Sequence, residues 1–303
     1  MLRTLCIFVV YFSLSAHSLV ATAETTTQPV ATQAASPSSL FSRYQQLKPA
    51  LANSIFGSPI VLKSKIGNNI AQGDVFAVLD TPFISLRNTL AQPSQWCELA
   101  ILHINIKTCL YDKNDVQFFV GRNHYEPPED AFLLQYQFKL LTDNEQQLNV
   151  KLSAAEGPIG TSNYQLQLQA IPIDAQHSFL RFRYRYQFGF LAKLAMQTYL
   201  ATLGHNKVGF TITGTDDQGR ATYIKGLQGI IERNVMRYLF AIQSVLEANK
   251  STMEYRQTAA MVRWYAHIQK HPRQLVEFSR EEYMRDKKRE LNNQREMQKA
   301  FIP

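Results

Sequence analysis

The sequence predicts an α+β fold: a curved antiparallel sheet wrapped around a long C-terminal helix, with extra C-terminal helices. Three observations carry this. From His103 to Phe190, successive segments alternate apolar and polar residues and are separated by short polar turns. A long amphipathic stretch, Leu227 to Ala248, follows them. No second set of strands is long enough to make a facing sheet, so the apolar face has that helix as its partner.

Composition bounds the class. The chain has 303 residues, 45% of them hydrophobic and 18% charged, which is globular rather than disordered. At roughly 150 residues per domain, one large domain or two small ones are expected. No apolar run long enough to span a bilayer occurs after the N-terminal stretch, which excludes a multispan membrane protein. Three cysteines are too few for a disulfide-built mini-protein. The formal charge is 32 − 24 = +8.

The chain opens like an export signal. Arg3 supplies a short positive region, Leu5 to Leu14 an apolar run, and Ala21-Thr22-Ala23 a small-x-small cleavage pattern. Residues 1–23 are therefore expected to be removed after Ala23, with a bacterial periplasm as the destination; an uncleaved anchor is the other reading. Residues 24–39, rich in Thr, Ser, Ala, Gln and Pro, read as a flexible linker. A domain over 40–250 and a charged helical extension over 251–303 are expected to follow.

Within the domain, a helix is expected over 40–52. Pro59 precedes a strand from Ile60 to Ile66, Gly67-Asn68-Asn69 make a turn, and Asp74 to Leu79 make a second strand. Thr81 as N-cap and Pro82 at the first helical position start a helix carrying Phe83, Leu86 and Leu90; Pro93 ends or interrupts it. Trp96 and Cys97 follow, then His103 to Leu110. Asp112 to Asp115 suit a hairpin turn. Alternating runs around Tyr136, Leu148, Tyr164 and Phe182 are the following strands, and short turns between them require antiparallel pairing. Leu191 to Leu203 reads as a helix and Val208 to Thr213 and Ala221 to Ile224 as a further hairpin. In the long helix, Ile231, Val235, Tyr238, Leu239, Ile242, Val245 and Leu246 form one stripe. The last helix, Ser279 to Lys299, is mostly charged, with mixed signs that suit a solvated helix with i,i+4 pairs.

This order resembles the helix-grip fold of START-like and polyketide cyclase-like proteins (the SRPBCC superfamily). The residues that carry the resemblance are Gly73-Asp74-Val75-Phe76-Ala77-Val78-Leu79, the helix from Thr81 to Leu90, Trp96-Cys97 and the Leu227–Leu246 helix. It spans about residues 58–250. It implies a hydrophobic cavity with lipid or sterol-like binding as the common role, and does not imply catalysis.

The residues expected to line that cavity are Tyr136, Phe138, Tyr164, Leu166, Phe182, Tyr184, Tyr186 and Phe188 from the strands, with Val235, Tyr238, Leu239 and Ile242 from the helix. Apolar walls with a few hydroxyls suit a small hydrophobic ligand; the same stripes also suit a filled core. Once the signal is removed, Cys97 and Cys109 remain, as a disulfide candidate or as two buried thiols.

No GxSxG elbow, Walker motif or dinucleotide glycine motif occurs. His267 and His271 are four apart but lack the Glu of an HExxH motif, so they read as surface histidines, and no metal or cofactor is expected. His103, His124 and Glu98 are acid–base candidates only if they face the cavity. Arg181, Arg183 and Arg185 fall on the outer face. Expected partners are a hydrophobic small molecule or lipid and, peripherally, an anionic membrane surface; no nucleic acid is expected, and no protein partner is identified. Three functions remain: an exported carrier, an adaptor presenting its charged C-terminal helices, and a cyclase or hydrolase working in the same pocket.

Overall fold

The computed structural model describes residues 37–201, 206–252 and 255–301. The expected signal and most of the expected linker lie outside the described residues. Helix α1 (Pro37–Ala52) comes first and takes in the last linker positions. Strands β1 (Ile60–Gly67) and β2 (Ile70–Leu79) follow, then α2 (Phe83–Leu90), α3 (Pro93–Ala100), β3 (Ile106–Asp112), β4 (Asp115–Val120), β5 (Phe132–Asp143), β6 (Leu148–Glu156), β7 (Thr161–Pro172) and β8 (Ser178–Phe188). After them come α4 (Phe190–Ala201), the short β9 (Ile212–Thr215) and β10 (Ala221–Tyr223), and the long α5 (Gly226–Ala248). Helices α6 (Arg256–Gln269), α7 (Pro272–Leu275) and α8 (Arg280–Phe301) close the chain. Among the described residues no helix is long and apolar enough to cross a membrane.

The eight long strands form one antiparallel sheet in the order β1-β2-β8-β7-β6-β5-β4-β3. The hairpins from β3 to β8 are a plain meander, as their short polar turns require. Only β1 and β2 are brought round to pair beside β8, with Val75 opposite Phe182 and Gly73 opposite Tyr184. The inner face packs on α5, so the helix-grip arrangement is observed directly. The outer face holds a second, smaller core, where Leu40, Leu47 and Leu51 of α1 meet Phe76, Ile171 and Phe179.

Several boundaries differ from expectation. Thr81 is not the N-cap of α2; Pro82 takes that place, with no side-chain cap. Pro93 does not merely stop a helix: it sits in the first turn of α3, where its missing N–H has no partner to lose. Residues 208–211 are not a strand. The Phe210 and Thr211 N–H groups donate to Glu232 Oε2, at 2.6 and 2.9 Å, and although Gly209 N–H donates to the Ile224 carbonyl (2.7 Å) and Ile224 N–H to the Thr211 carbonyl (2.8 Å), regular pairing begins at Ile212.

The last helix is corrected most. Instead of a solvated rod, α8 lies along β3, the free edge of the sheet, and buries Tyr283, Lys287, Glu290, Leu291 and Gln294. An edge strand exposes N–H and C=O groups that need partners. Here the helix supplies them: Cys109 N–H donates to Gln294 Oε1 (3.0 Å) and Tyr111 N–H to Gln298 Oε1 (3.0 Å), while Gln298 Nε2 donates to the Tyr111 carbonyl (2.9 Å). Lys287 Nζ donates to the His103 and Ile106 carbonyls at 2.7 and 2.9 Å. The match is geometric. Four helical residues rise about 6 Å and two strand residues about 6.8 Å, so positions 294 and 298 meet 109 and 111. Beneath them Glu290 is shared by Lys107 (2.8 Å) and Lys287 (2.6 Å), all three almost completely buried.

Cys97 and Cys109 form a disulfide with a Cα–Cα distance of 5.1 Å, tying α3 to the edge strand that α8 covers.

Candidate functional site

Alternation along β5, β7 and β8 turns Tyr136, Phe138, Tyr164, Leu166, Phe182, Tyr184, Tyr186 and Phe188 to the inner face, and α5 brings Val235, Tyr238, Leu239 and Ile242 to meet them. All are buried except Tyr184, which is half-buried. The helix does not sit evenly on the sheet. It packs on β1, β2 and β8. Gly73 permits the close approach: a Cβ there would lie 3.0 Å from Val235 Cγ1 and 3.4 Å from the Ile231 carbonyl. With α5 pressed onto β2, its Tyr238 meets Phe182 and Tyr184 of β8.

Those side chains form a continuous tyrosine cluster. Tyr164 stacks on Tyr186 at 5.1 Å between ring centroids; Tyr184 lies 5.7 Å from Tyr186 and 5.8 Å from Tyr238. Tyr238 also meets Phe182 at 5.6 Å, and Tyr136 meets Phe118 at 4.9 Å. The Tyr164 hydroxyl is paired with Thr161 Oγ1 at 2.9 Å. Among the described residues, the hydroxyls of Tyr136, Tyr184, Tyr186 and Tyr238 have no hydrogen-bond partner.

Burial raises the pKa of all five phenols, and for Tyr136, Tyr184, Tyr186 and Tyr238 the nearness of other phenols raises it further. They are therefore neutral O–H donors throughout the physiological range. Tyr184 keeps part of its surface accessible.

Of the acid–base candidates, only His103 reaches the cluster. Its ring stacks on Tyr238 at 4.9 Å. The Asn105 N–H donates to His103 Nδ1 at 3.2 Å, which puts the proton of the neutral ring on Nε2; that atom is buried without a partner among the described residues. Burial, and next Arg237, hold the His103 pKa well below its usual value. Glu98 is elsewhere, lining a surface groove of about 970 Å³ between α3, α6 and α8 with Gln257, Gln294 and Arg295. Burial raises its carboxyl pKa. His124 contributes its backbone carbonyl to Lys107.

His267 and His271 are not simple surface histidines. Both stack on Phe240, at 5.4 and 5.7 Å, and His267 Nε2 is 3.1 Å from Glu247 Oε1. Arg181 and Arg183 do lie on the outer face, where both bind Asp74, at 2.8 and 2.9 Å.

Three features of the site escape sequence reasoning. Thr161 pairs with Tyr164, and Gly73 sets the tilt of α5; a glycine inside an apolar strand is a signal for close approach. The third is a buried ion cluster behind α5, where Glu277 takes Arg237 at 2.6 Å, Lys207 at 2.8 Å, and Arg233. Those cations hold the Glu277 carboxyl far below its usual pKa despite its burial.

No protein-family model matches the chain, and no curated protein does. Among solved structures it is similar to norcoclaurine synthase from Thalictrum flavum, at 9% identity and a TM-score of 0.36, covering 63% of this chain and 98% of that one. It is also similar to a START superfamily protein from Mycobacterium smegmatis, at 11% identity and a TM-score of 0.29 over 48% and 92% of the two chains. A third is human StAR-related lipid transfer protein 5, at 9% identity and a TM-score of 0.29 over 53% and 90%. The helix-grip arrangement of this chain rests on the strand order and on α5 lying across the inner face.

Proposed function

We propose that this chain is an exported carrier that binds a hydrophobic small molecule of the lipid kind between α5 and strands β5–β8. Phe138, Leu166, Phe182, Phe188 and Leu239 wall the apolar part. The phenols of Tyr136, Tyr184, Tyr186 and Tyr238 donate to an acceptor at the ligand's polar end. The observation that carries this reading is the convergence of tyrosine hydroxyls that make no hydrogen bond to another described residue, next to a Tyr184 that keeps accessible surface. Burying ten methylenes at about 0.8 kcal/mol each gives roughly 8 kcal/mol before the costs of binding, which suits reversible carriage. Export follows from the reading of residues 1–23, and exchange with an anionic membrane is part of the proposal.

Mass spectrometry of organic extracts from the purified protein tests it. An apolar molecule recovered in near-stoichiometric amount supports carriage, and a Tyr184→Phe, Tyr238→Phe double variant retains less of it. Repeated recovery of empty protein that also fails to take up a fluorescent acyl probe saturably overturns it.

One observation favours the adaptor reading: the groove between α3, α6 and α8 is lined by Asn292, Arg295, Gln298 and Lys299 of the C-terminal helix. Under that reading, charge reversal at Arg295 abolishes capture of a protein partner while ligand content stays unchanged.

A further inference from the structure

The end of the sheet nearest the tyrosine cluster carries two features that the interior site does not use. Strand register brings them together. Ile70 pairs with Gln187, the Phe188 N–H donates to the Asn69 carbonyl at 2.9 Å, and Phe188 pairs with Thr161. The β1–β2 turn, the turn at 158–160 and the start of α4 therefore lie side by side, and α4 packs on the 158–160 turn.

The first feature is an apolar tip. Phe190 is 78% exposed, Ile159 69%, Leu194 51% and Ile66 37%. Ile159 is also strained. Its φ of 56° and ψ of 38° are left-handed, a conformation a β-branched side chain rarely adopts. Core packing does not account for this strain, because the side chain points outward. Lys193, exposed, stands among these residues on α4.

The second feature is a basic recess on the neighbouring outer face. Its volume is about 350 Å³, and Lys65, Asn68, Gln72 and Arg185 line it with Ile66, Gly67 and Ile70. Its charged lining residues are both cations. Neither Lys65 nor Arg185 has an ion-pair partner among the described residues. The nearby carboxylate, Asp74, is already held by Arg181 and Arg183 and by Gln72 Nε2.

We propose that this end of the molecule docks on an anionic phospholipid surface, with Ile66, Ile159, Phe190 and Leu194 entering the interface and the Lys65–Arg185 recess receiving a headgroup phosphate. An apolar tip beside unpaired cations fits the layering of a bilayer, with acyl chains below and phosphates at the rim. The strain at Ile159 is explained, because the conformation keeps an apolar side chain directed outward. The proposal rests on the carrier reading, since the tyrosine cluster lies just behind this end and a ligand would pass here.

The test is flotation of the full chain with two kinds of vesicle: phosphatidylcholine alone, and phosphatidylcholine with phosphatidylglycerol. Binding to the anionic vesicles only is expected. The Lys65→Gln, Arg185→Gln double variant weakens it about 25-fold, at roughly fivefold per charge removed. Ile159→Gly also loses vesicle binding but keeps or raises thermal stability, because glycine accepts the left-handed conformation. A merely structural Ile159 would not separate the two readouts in that way. Equal binding to both vesicles, or undiminished binding by the double variant, overturns the proposal. So does saturation of the recess by inorganic phosphate without any vesicle binding. Extracts of the double variant separate the two ideas. Lost docking with ligand still bound supports docking through the recess, whereas empty wild type that still floats on anionic vesicles contradicts the carrier reading alone.

Discussion

Helices α5 and α8 are nearly equal in length, 23 and 22 residues, and they cover the same sheet by opposite means. Helix α5 lays Ile231, Val235, Leu239 and Ile242 against the sheet face, where water is excluded by apolar contact. Helix α8 lays Lys287, Glu290, Gln294 and Gln298 against the sheet edge, where backbone groups need donors and acceptors. A sheet has both kinds of surface. The helix that covers a face must be apolar on one side, whereas the helix that covers an edge must be polar on the side it buries.

The comparison can be broken at either helix. The largest effect is expected from Glu290→Gln. It leaves Lys107 and Lys287 buried without their shared carboxylate, and denaturant unfolding should show a loss of about 3–5 kcal/mol. Leu239→Ala on α5 removes apolar volume alone; the same measurement should give about 2–5 kcal/mol, with no dependence on pH near neutrality. Gln298→Ala orphans both backbone groups of Tyr111, and a loss of about 1–2 kcal/mol is expected, with faster amide exchange at that residue.

The pH dependence of α8 is the finest test. Burial draws the Lys287 pKa down to about 8, against about 10.4 for an unfolded lysine. Between those values the unfolded chain binds more protons than the folded one, so this residue's contribution to stability rises with pH across the window, by at most ~1.4 kcal/mol per pH unit. Subtracting the curve of a Lys287→Met variant isolates it. A flat difference between pH 8 and 10 would show that Lys287 is not held as a desolvated cation.

The same contrast explains what was legible in the sequence. Apolar periodicity announces face contacts, so the meander, α5 and the inward set from Tyr136 to Phe188 could all be read. Edge contacts carry no apolar signal. Lys287, Glu290, Gln294 and Gln298 have the same charge pattern as a solvated helix, and only their three- and four-residue spacing marks a common side. Removing residues 251–303 would therefore strip the cover from β3. Within the site, the inward direction of each tyrosine follows from period-two alternation. The convergence of the phenols does not, because it depends on Gly73 tilting α5 toward β2, and on cross-strand register such as Leu166 opposite Tyr184.

The proposed carriage requires open space beneath α5, bordered by Tyr136, Tyr184 and Tyr238. Its most direct test is a crystal soaked with a bromine-labelled acyl chain and measured at the bromine edge. The account predicts anomalous density inside the domain, between those three rings, with a phenol hydroxyl within hydrogen-bond distance of the chain's polar end. Bromine found only on the surface, over an interior filled by rings in van der Waals contact, would contradict it.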